Sequence, residues 1–172
     1  MTHHSTNQRV AVLADAQNLY HSAWGLYDSN VDYRGIRRLA VNGRELTRAI
    51  AYVIRADIPD EGGFFDALTR IGFETREKEL RRFPDGTDKG NWDVGICLDA
   101  ISLSGHVDTI VLCTGDGDFT RLVRFLQHEG VRVEVLGFDG STSSELKEAA
   151  DEFCDLGSHL EISLLEQPAA TD

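Results

Sequence analysis

At 172 residues the chain is long enough for one α/β domain with a sizeable core and cramped for two. Its 41% hydrophobic content is ordinary for a soluble globular protein, and no apolar run approaches the roughly 20 residues of a membrane helix. A formal net charge of −12 excludes a protein that coats nucleic acid by charge alone, because a phosphate backbone is repelled at long range.

The first residues, Met1 to Asn7, are polar and lack the apolar centre of a signal peptide, so 1–8 is expected to be a disordered tail on a cytoplasmic protein with no membrane anchor. The apolar run Arg9-Val-Ala-Val-Leu-Ala-Asp15 reads as a buried strand ending in acid. A helix is expected from Asn18 through Tyr27, and a second one, capped by Asp32, through Arg38 and Leu39. Ala49 to Ile54 reads as the second strand. Gly62 to Ile71 carries Phe64, Phe65, Leu68 and Ile71 on one helical stripe, and Phe73 to Leu80 alternates as an edge strand. Pro84, Gly86 and Gly90 make 81–91 a loop.

Trp92 to Leu103 is the next expected helix, and Asp108 to Thr114 the clearest buried strand. That strand breaks at Gly115-Asp-Gly-Asp118, after which a helix runs to a cap at Gly130. Val131 to Phe138 is then a strand, Ser143 to Phe153 a last long helix, and Leu160 to Leu164 a short edge strand. The end, 166–172, is disordered in composition. Cys97, Cys113 and Cys154 are widely spaced, odd in number and set in apolar stretches, as small core residues in a reducing compartment are. The whole is a three-layer α/β/α, Rossmann-like domain over 9–165 with a mainly parallel central sheet.

In such sheets ligands sit beyond the carboxyl ends of the strands, where strand order reverses. Two strands here end in acid: the first at Asp15, the other at Asp116 and Asp118. A third segment, Lys89-Gly-Asn-Trp-Asp93, opens a helix with another aspartate. Gathered together, Asp15, Asp93, Asp116 and Asp118 are hard oxygen ligands that suit Mg²⁺ or Mn²⁺, and no histidine or cysteine spacing suits zinc. Each acid also has a plain structural role open to it: Asp118 as a helix cap, Asp15 in an Asx turn, Asp93 at a helix dipole. Asp99 lies about 120° around its helix from Asp93, which makes it a water-mediated ligand or a buried partner for a basic group.

Asp15-Ala-Gln-Asn18 after its strand, Lys89-Gly-Asn-Trp-Asp93-Val with Asp99-Ala, and Thr114-Gly-Asp-Gly-Asp-Phe119, in that order, resemble the NYN domain, in particular its LabA/DUF88 group. Gly130-Val-Arg-Val and the segment from Ser144 to Phe153 fit the same pattern, so the resemblance spans about Val10 to Leu156. Ala16 and Gln17 stand where glycine and glutamate are common, and Thr114 where serine is usual. The resemblance implies a PIN-like fold and a divalent-metal nuclease cutting RNA, with Asp15, Asp93, Asp116 and Asp118 as metal ligands and products bearing 5′-phosphate and 3′-hydroxyl ends.

Asn18 is a candidate for orienting water or touching phosphate. Lys89, Thr114 and Arg121 are further candidate substrate contacts. Arginine clusters at Arg34, Arg37 and Arg38, at Arg76, Arg81 and Arg82 with Lys78, and at Arg121 and Arg124 offer phosphate contacts or ordinary solvated faces. Trp24, Tyr27 and Trp92 offer base stacking or packing. A homodimer is compatible with this reading. Two alternatives stay open: a catalytically silent RNA- or protein-binding module of the same fold, and a metal-dependent phosphohydrolase. The second is weakened because a haloacid-dehalogenase type needs Asp-x-Asp after the first strand, where this chain has Asp15-Ala-Gln, and a Toprim type needs glutamate.

Overall fold

The structure is a computed structural model that describes residues 5–55, 61–86 and 88–165. The expected tails fall outside the described residues at 1–4 and 166–172. Residues 5–8 turn into the first strand, and the Gln8 carbonyl accepts from the Glu45 N–H at 3.0 Å.

Strand β1 (Arg9–Asp15) is followed by α1 (Ala16–Tyr27), α2 (Tyr33–Val41), β2 (Glu45–Arg55), α3 (Glu61–Ile71) and β3 (Glu74–Glu79). A small antiparallel ribbon, β4 (Arg81–Arg82) and β5 (Asp88–Lys89), leads to α4 (Asp93–Leu103) and β6 (Thr109–Cys113). The chain then runs through α5 (Thr120–His128), β7 (Arg132–Gly137), α6 (Ser144–Ala149), β8 (Glu152–Asp155) and α7 (Leu160–Ser163). Six strands form one sheet in the order β3-β2-β1-β6-β7-β8, and every pair is parallel. Strand order reverses between β1 and β6.

Alternation along β1 sets the two layers. Val10, Val12 and Ala14 face a core shared with Leu19 and Ala23 of α1, Ile36 of α2 and Leu68 of α3. Ala11 and Leu13 face the opposite core, with Ile96 and Ala100 of α4, Val123 and Leu126 of α5 and Leu146 of α6. The expected α/β/α sandwich is therefore present, with β3 at one edge as the alternation of 73–80 predicted. Cys97, Cys113 and Cys154 are unpaired; Cys113 is buried and the other two half-buried.

Three expectations are corrected. The helix expected to reach Phe153 stops at Ala149. Asp151 then turns the chain, its N–H donating to the Val133 carbonyl at 2.9 Å while its carboxylate accepts from the Val133 N–H at 2.8 Å. That clip delivers Glu152–Asp155 to the open edge of β7, and pairing there outweighs the helical propensity of the segment. Leu160–Ser163 is a helical turn instead of an edge strand. Its Ser163 carbonyl accepts from Asp32 N–H at 2.9 Å, and Leu164 keeps a single antiparallel bridge to Val31. The loop 81–91 contains the β4–β5 ribbon, turned at Gly86 with its φ of +83°.

Strand β2 is longer than read, because its first residues pair with Arg9 and Val10 beside a buried ion pair. There the Arg44 guanidinium donates to both Glu134 carboxylate oxygens at 2.9 and 2.8 Å and to the Ala40 carbonyl at 2.8 Å. Among the described residues no helix is long and apolar enough to cross a membrane.

Candidate metal centre at the switch point

The reversal between β1 and β6 opens a cleft of about 540 Å³ at the carboxyl ends of these strands. Its lining comprises Asp15, Gln17, Asn18, His21, Ser22, Asn91, Asp93, Asp116, Asp118 and Ser141. Six elements or loops contribute: β1, α1, the loop before α4, α4, the turn after β6 and the segment after β7.

Asp15 ends β1 and caps α1, accepting from the Asn18 N–H at 3.2 Å. Asn18, one turn into α1, has a different task. Its side-chain oxygen accepts from the Gly115 N–H at 2.8 Å and so ties α1 to the loop after β6. Thr114 is buried; its hydroxyl donates to Asp15 at 3.4 Å and accepts from the Asp116 N–H at 3.2 Å. In this position Thr114 orients two acids and lies beneath the cleft surface.

The loop beyond Thr114 holds Asp116 and Asp118. Asp116 caps a 3-10 turn over Gly117–Phe119, accepting from the Asp118 N–H at 2.9 Å. Both glycines are explained by close approach to the loop after β7. A Cβ on Gly115 would stand 2.8 Å from the Ser141 carbonyl oxygen, and one on Gly117 would stand 2.9 Å from the Ser143 Cβ. Asp93 begins α4, whose first turn packs Gly95 against the Trp92 ring. Trp92 in turn donates its indole N–H to the Val53 carbonyl at 2.9 Å and lies under the Lys78 ammonium, 4.4 Å from the ring centroid.

Asp93, Asp116 and Asp118 converge: each offers one oxygen, and the three oxygens lie within 4.8 Å of one another. Asp15 lines the same cleft but stands outside this trio. Burial pushes its carboxyl up to about 6, aided by the charges of Asp93 and Asp116 and opposed by the Asn18 N–H. Asp93 is likewise raised, first by burial and then by Asp116 and Asp118, with Lys78 pulling the other way. Like charges crowded at the end of a sheet are unfavourable on their own account, and such crowding marks functional sites.

All three converging donors are carboxylates, and no histidine or cysteine joins them among the described residues. That donor set fits a hard divalent cation such as Mg²⁺ or Mn²⁺ and does not fit zinc.

Of the remaining sequence candidates, Asp99 and Arg121 lie off the cleft lining. Asp99 accepts from the Tyr52 hydroxyl at 2.7 Å and pairs with the partly exposed Arg76 at 3.5 Å. The side chain of Lys89 lies outside the described residues, and Arg121 is exposed on α5, off the cleft lining. Gln17, His21, Ser22, Asn91 and Ser141 were not singled out by sequence. Asn18, His21 and Ser22 share one face of α1 at i, i+3 and i+4, a spacing that was available to read. Ser141 arrives on the loop after β7, for which the sequence carries no comparable signal.

The NYN domain pattern matches residues 9–161. The chain is similar to the low amplitude and bright protein LabA of Synechococcus elongatus, 31% identical over 160 residues that cover 86% of this chain and 83% of the relative. It is 24% identical over 156 residues to the uncharacterized protein MJ0482 of Methanocaldococcus jannaschii; the match covers 90% of this chain but only 58% of that relative's length. The crystal structure of VPA0982, a protein of unknown function from Vibrio parahaemolyticus, superposes with a TM-score of 0.85 at 36% identity, covering 95% of this chain and 100% of that one. With the family pattern running from β1 to α7 over a parallel sheet whose switch point gathers aspartates, the chain belongs to the NYN domain family, within the PIN-like nuclease superfamily.

Proposed function

We propose that this protein is a ribonuclease that hydrolyses phosphodiester bonds with the help of Mg²⁺ or Mn²⁺ held by Asp93, Asp116 and Asp118, with Asp15 as the fourth carboxylate of the site. The observation that carries this reading is the convergence of three carboxylate oxygens within 4.8 Å at the sheet's switch point. Bound there, a divalent cation supplies Lewis acidity toward the phosphoryl oxygens and eases deprotonation of the attacking water.

The chain's own groups do the rest. Asp116 and Asp118 are held in register by the Asp118 N–H, and Asn18 pins the loop through Gly115, so the donors are set before substrate arrives. Asp15 accepts two hydrogen bonds, from Asn18 N–H and the Thr114 hydroxyl, and a carboxylate has capacity for about four. Its remaining capacity serves the cleft. In the reaction water adds to phosphorus, the bond to the 3′ oxygen breaks, and that oxygen takes a proton, leaving 5′-phosphate and 3′-hydroxyl ends. A cytoplasmic location and a homodimer are compatible with this role.

The test is cleavage of end-labelled single-stranded RNA and DNA in Mn²⁺ or Mg²⁺, beside EDTA and an Asp116→Asn variant. Loss of one cation ligand is expected to lower kcat at least about a hundredfold, in line with removal of a group that acts on transition-state charge. Metal-dependent cutting of RNA, absent in EDTA and in the variant, supports the reading. Folded, cation-loaded protein that cuts no RNA would leave the silent binding module, and cutting confined to phosphomonoesters would favour the phosphohydrolase.

A further inference from the structure

Helix α1 starts at the site and contains no charged residue from Ala16 to Tyr27, in a chain of which 27% is charged. It nonetheless exposes two large aromatic rings, Tyr20 at 47% and Trp24 at 41%. Their centroids are 6.4 Å apart with planes at 71°, and Tyr20 also meets the His21 ring at 5.5 Å. An edge-to-face pair leaves each ring at least one face that its partner does not cover.

At about 100° per residue, buried Ala16, Leu19 and Ala23 take one side of the helix. Tyr20, Trp24, His21, Asn18 and Ser22 follow one another around the other side. Asn18, His21 and Ser22 line the cleft, so His21 is where the cleft ends and the aromatic pair begins. Trp24 stands six residues beyond Asn18, about 9 Å along the axis.

We propose that Tyr20 and Trp24, continuous with the carboxylate cleft through His21, form a stacking platform for unpaired bases of the RNA substrate and select single strands over duplex. The proposal rests on the ribonuclease reading of the cleft. Three observations lead to it. Among the described residues the cleft lining holds no arginine or lysine, so bases offer the protein an affinity that phosphate contacts from those residues do not. Helix α1 itself presents no carboxylate between its capping residues Asp15 and Asp28 to a strand leaving the cleft along it, in a protein of net charge −12. Stacking on an aromatic ring is worth about 1–3 kcal/mol per base and is available only where bases are unpaired. A protein partner fits less well. Three half-exposed rings offer on the order of 300 Å², against about 800 Å² per side in a stable interface.

The experiment compares the Tyr20→Ala/Trp24→Ala and Tyr20→Phe/Trp24→Phe double variants with the unaltered protein, all in the Asp116→Asn background so that RNA survives. The probes are a fluorescein-labelled oligouridylate, an abasic oligomer of equal length and a duplex RNA. Both alanine sites are exposed, and thermal melting confirms that each variant is folded.

The alanine variant is expected to bind oligouridylate at least about tenfold more weakly, while the phenylalanine variant, which keeps two rings, binds as before. Abasic and duplex probes are expected to bind more weakly and with no difference among variants. Equal binding of oligouridylate and abasic oligomer overturns the platform, as does equal binding by the alanine variant or no binding of oligouridylate at all. A dimer that the alanine variant converts to monomer in sedimentation also overturns it, by assigning the face to a second copy. Cleavage by protein with Asp116 intact is scored separately: cutting without base-dependent binding sinks the platform alone, and base-dependent binding without cutting sinks the nuclease reading alone.

Discussion

Asp15 holds the least comfortable charge of the cleft: it is largely buried, it faces Asp93 and Asp116, and its relief comes from one backbone N–H and one hydroxyl. In the unfolded chain it titrates near 3.8 and in the ion-free fold near 6. Below the unfolded value the acid is neutral in both states and costs the fold nothing. As pH rises from there through about 6 the folded carboxyl is forced to ionise, and stability is lost. The loss is complete above 6 and on the order of 3 kcal/mol at 1.36 kcal/mol per pKa unit. Asparagine is an equally good helix cap, so Asp15→Asn keeps the bond from Asn18 N–H while removing the charge. Urea denaturation in EDTA is expected to show the variant more stable by about 1–3 kcal/mol near pH 8, with the gain gone near pH 4. The same variant is expected to lose metal-dependent cutting. A variant less stable at pH 8 would mean that Asp15 is a structural acid.

Two loops carry the site at the scale of elements: the turn after β6, which holds Asp116 and Asp118, and the segment after β7 that backs it. Their fit leaves no room for a methyl group on Gly117, whose Cβ would meet both the Oγ and the Cβ of Ser143 below 3.0 Å. Gly117→Ala therefore has to move one loop, and with it the two carboxylates. Overpacking of this kind costs about 1–3 kcal/mol. Mn²⁺ affinity measured by calorimetry is expected to fall at least about tenfold, since the donors span only 4.8 Å. Gly25→Ala, in α1 with nothing within 4 Å, is the control: it is expected to bind Mn²⁺ unchanged and to gain about 0.5–1 kcal/mol of stability. Equal Mn²⁺ affinity in both would show that the turn tolerates displacement and that Asp116 and Asp118 are not set by it. Asp15, Asp116 and Asp118 were legible in the sequence because a buried strand ending in acid, placed by the switch-point rule, leaves few places for a side chain to go, whereas Asp93 opens a helix and was read from its Lys89-Gly-Asn-Trp-Asp93 segment. What was not legible depended on partners distant in sequence. Asp99 is spoken for by Tyr52 and Arg76, and Ser141 reaches the cleft only because Gly115 and Gly117 admit its loop. Glu152–Asp155 reads as the end of a helix, and becomes a strand because the edge of β7 and the Asp151 clip capture it.

On the proposed ribonuclease reading, the net charge of −12 bears on how the whole molecule would meet RNA. A basic nucleic-acid binder gains affinity by releasing counterions, with a slope of log K against log salt of about −0.7 per phosphate contacted on a single strand. Six such contacts would give about −4. Among the described residues the cleft lining contains no arginine or lysine, and the Lys78 ammonium beside it already donates to the Asn91 carbonyl at 2.9 Å over the Trp92 ring. On that reading the described residues of the cleft would make few phosphate contacts themselves. The long-range field also opposes approach, and salt weakens that opposition as the Debye length contracts from about 30 Å at 0.01 M to about 10 Å at 0.1 M. Both effects flatten the salt dependence. With a cation held by the carboxylates taking the place of basic side chains, the affinity for single-stranded RNA should follow Mn²⁺ more than it follows KCl. Titrations of oligouridylate at fixed Mn²⁺, from about 50 to about 200 mM KCl, are expected to give a slope shallower than about −1.5. A steeper slope would mean that arginines outside the cleft, on α2, β3 or α5, carry the phosphates, and that RNA approaches the carboxylates from a basic face.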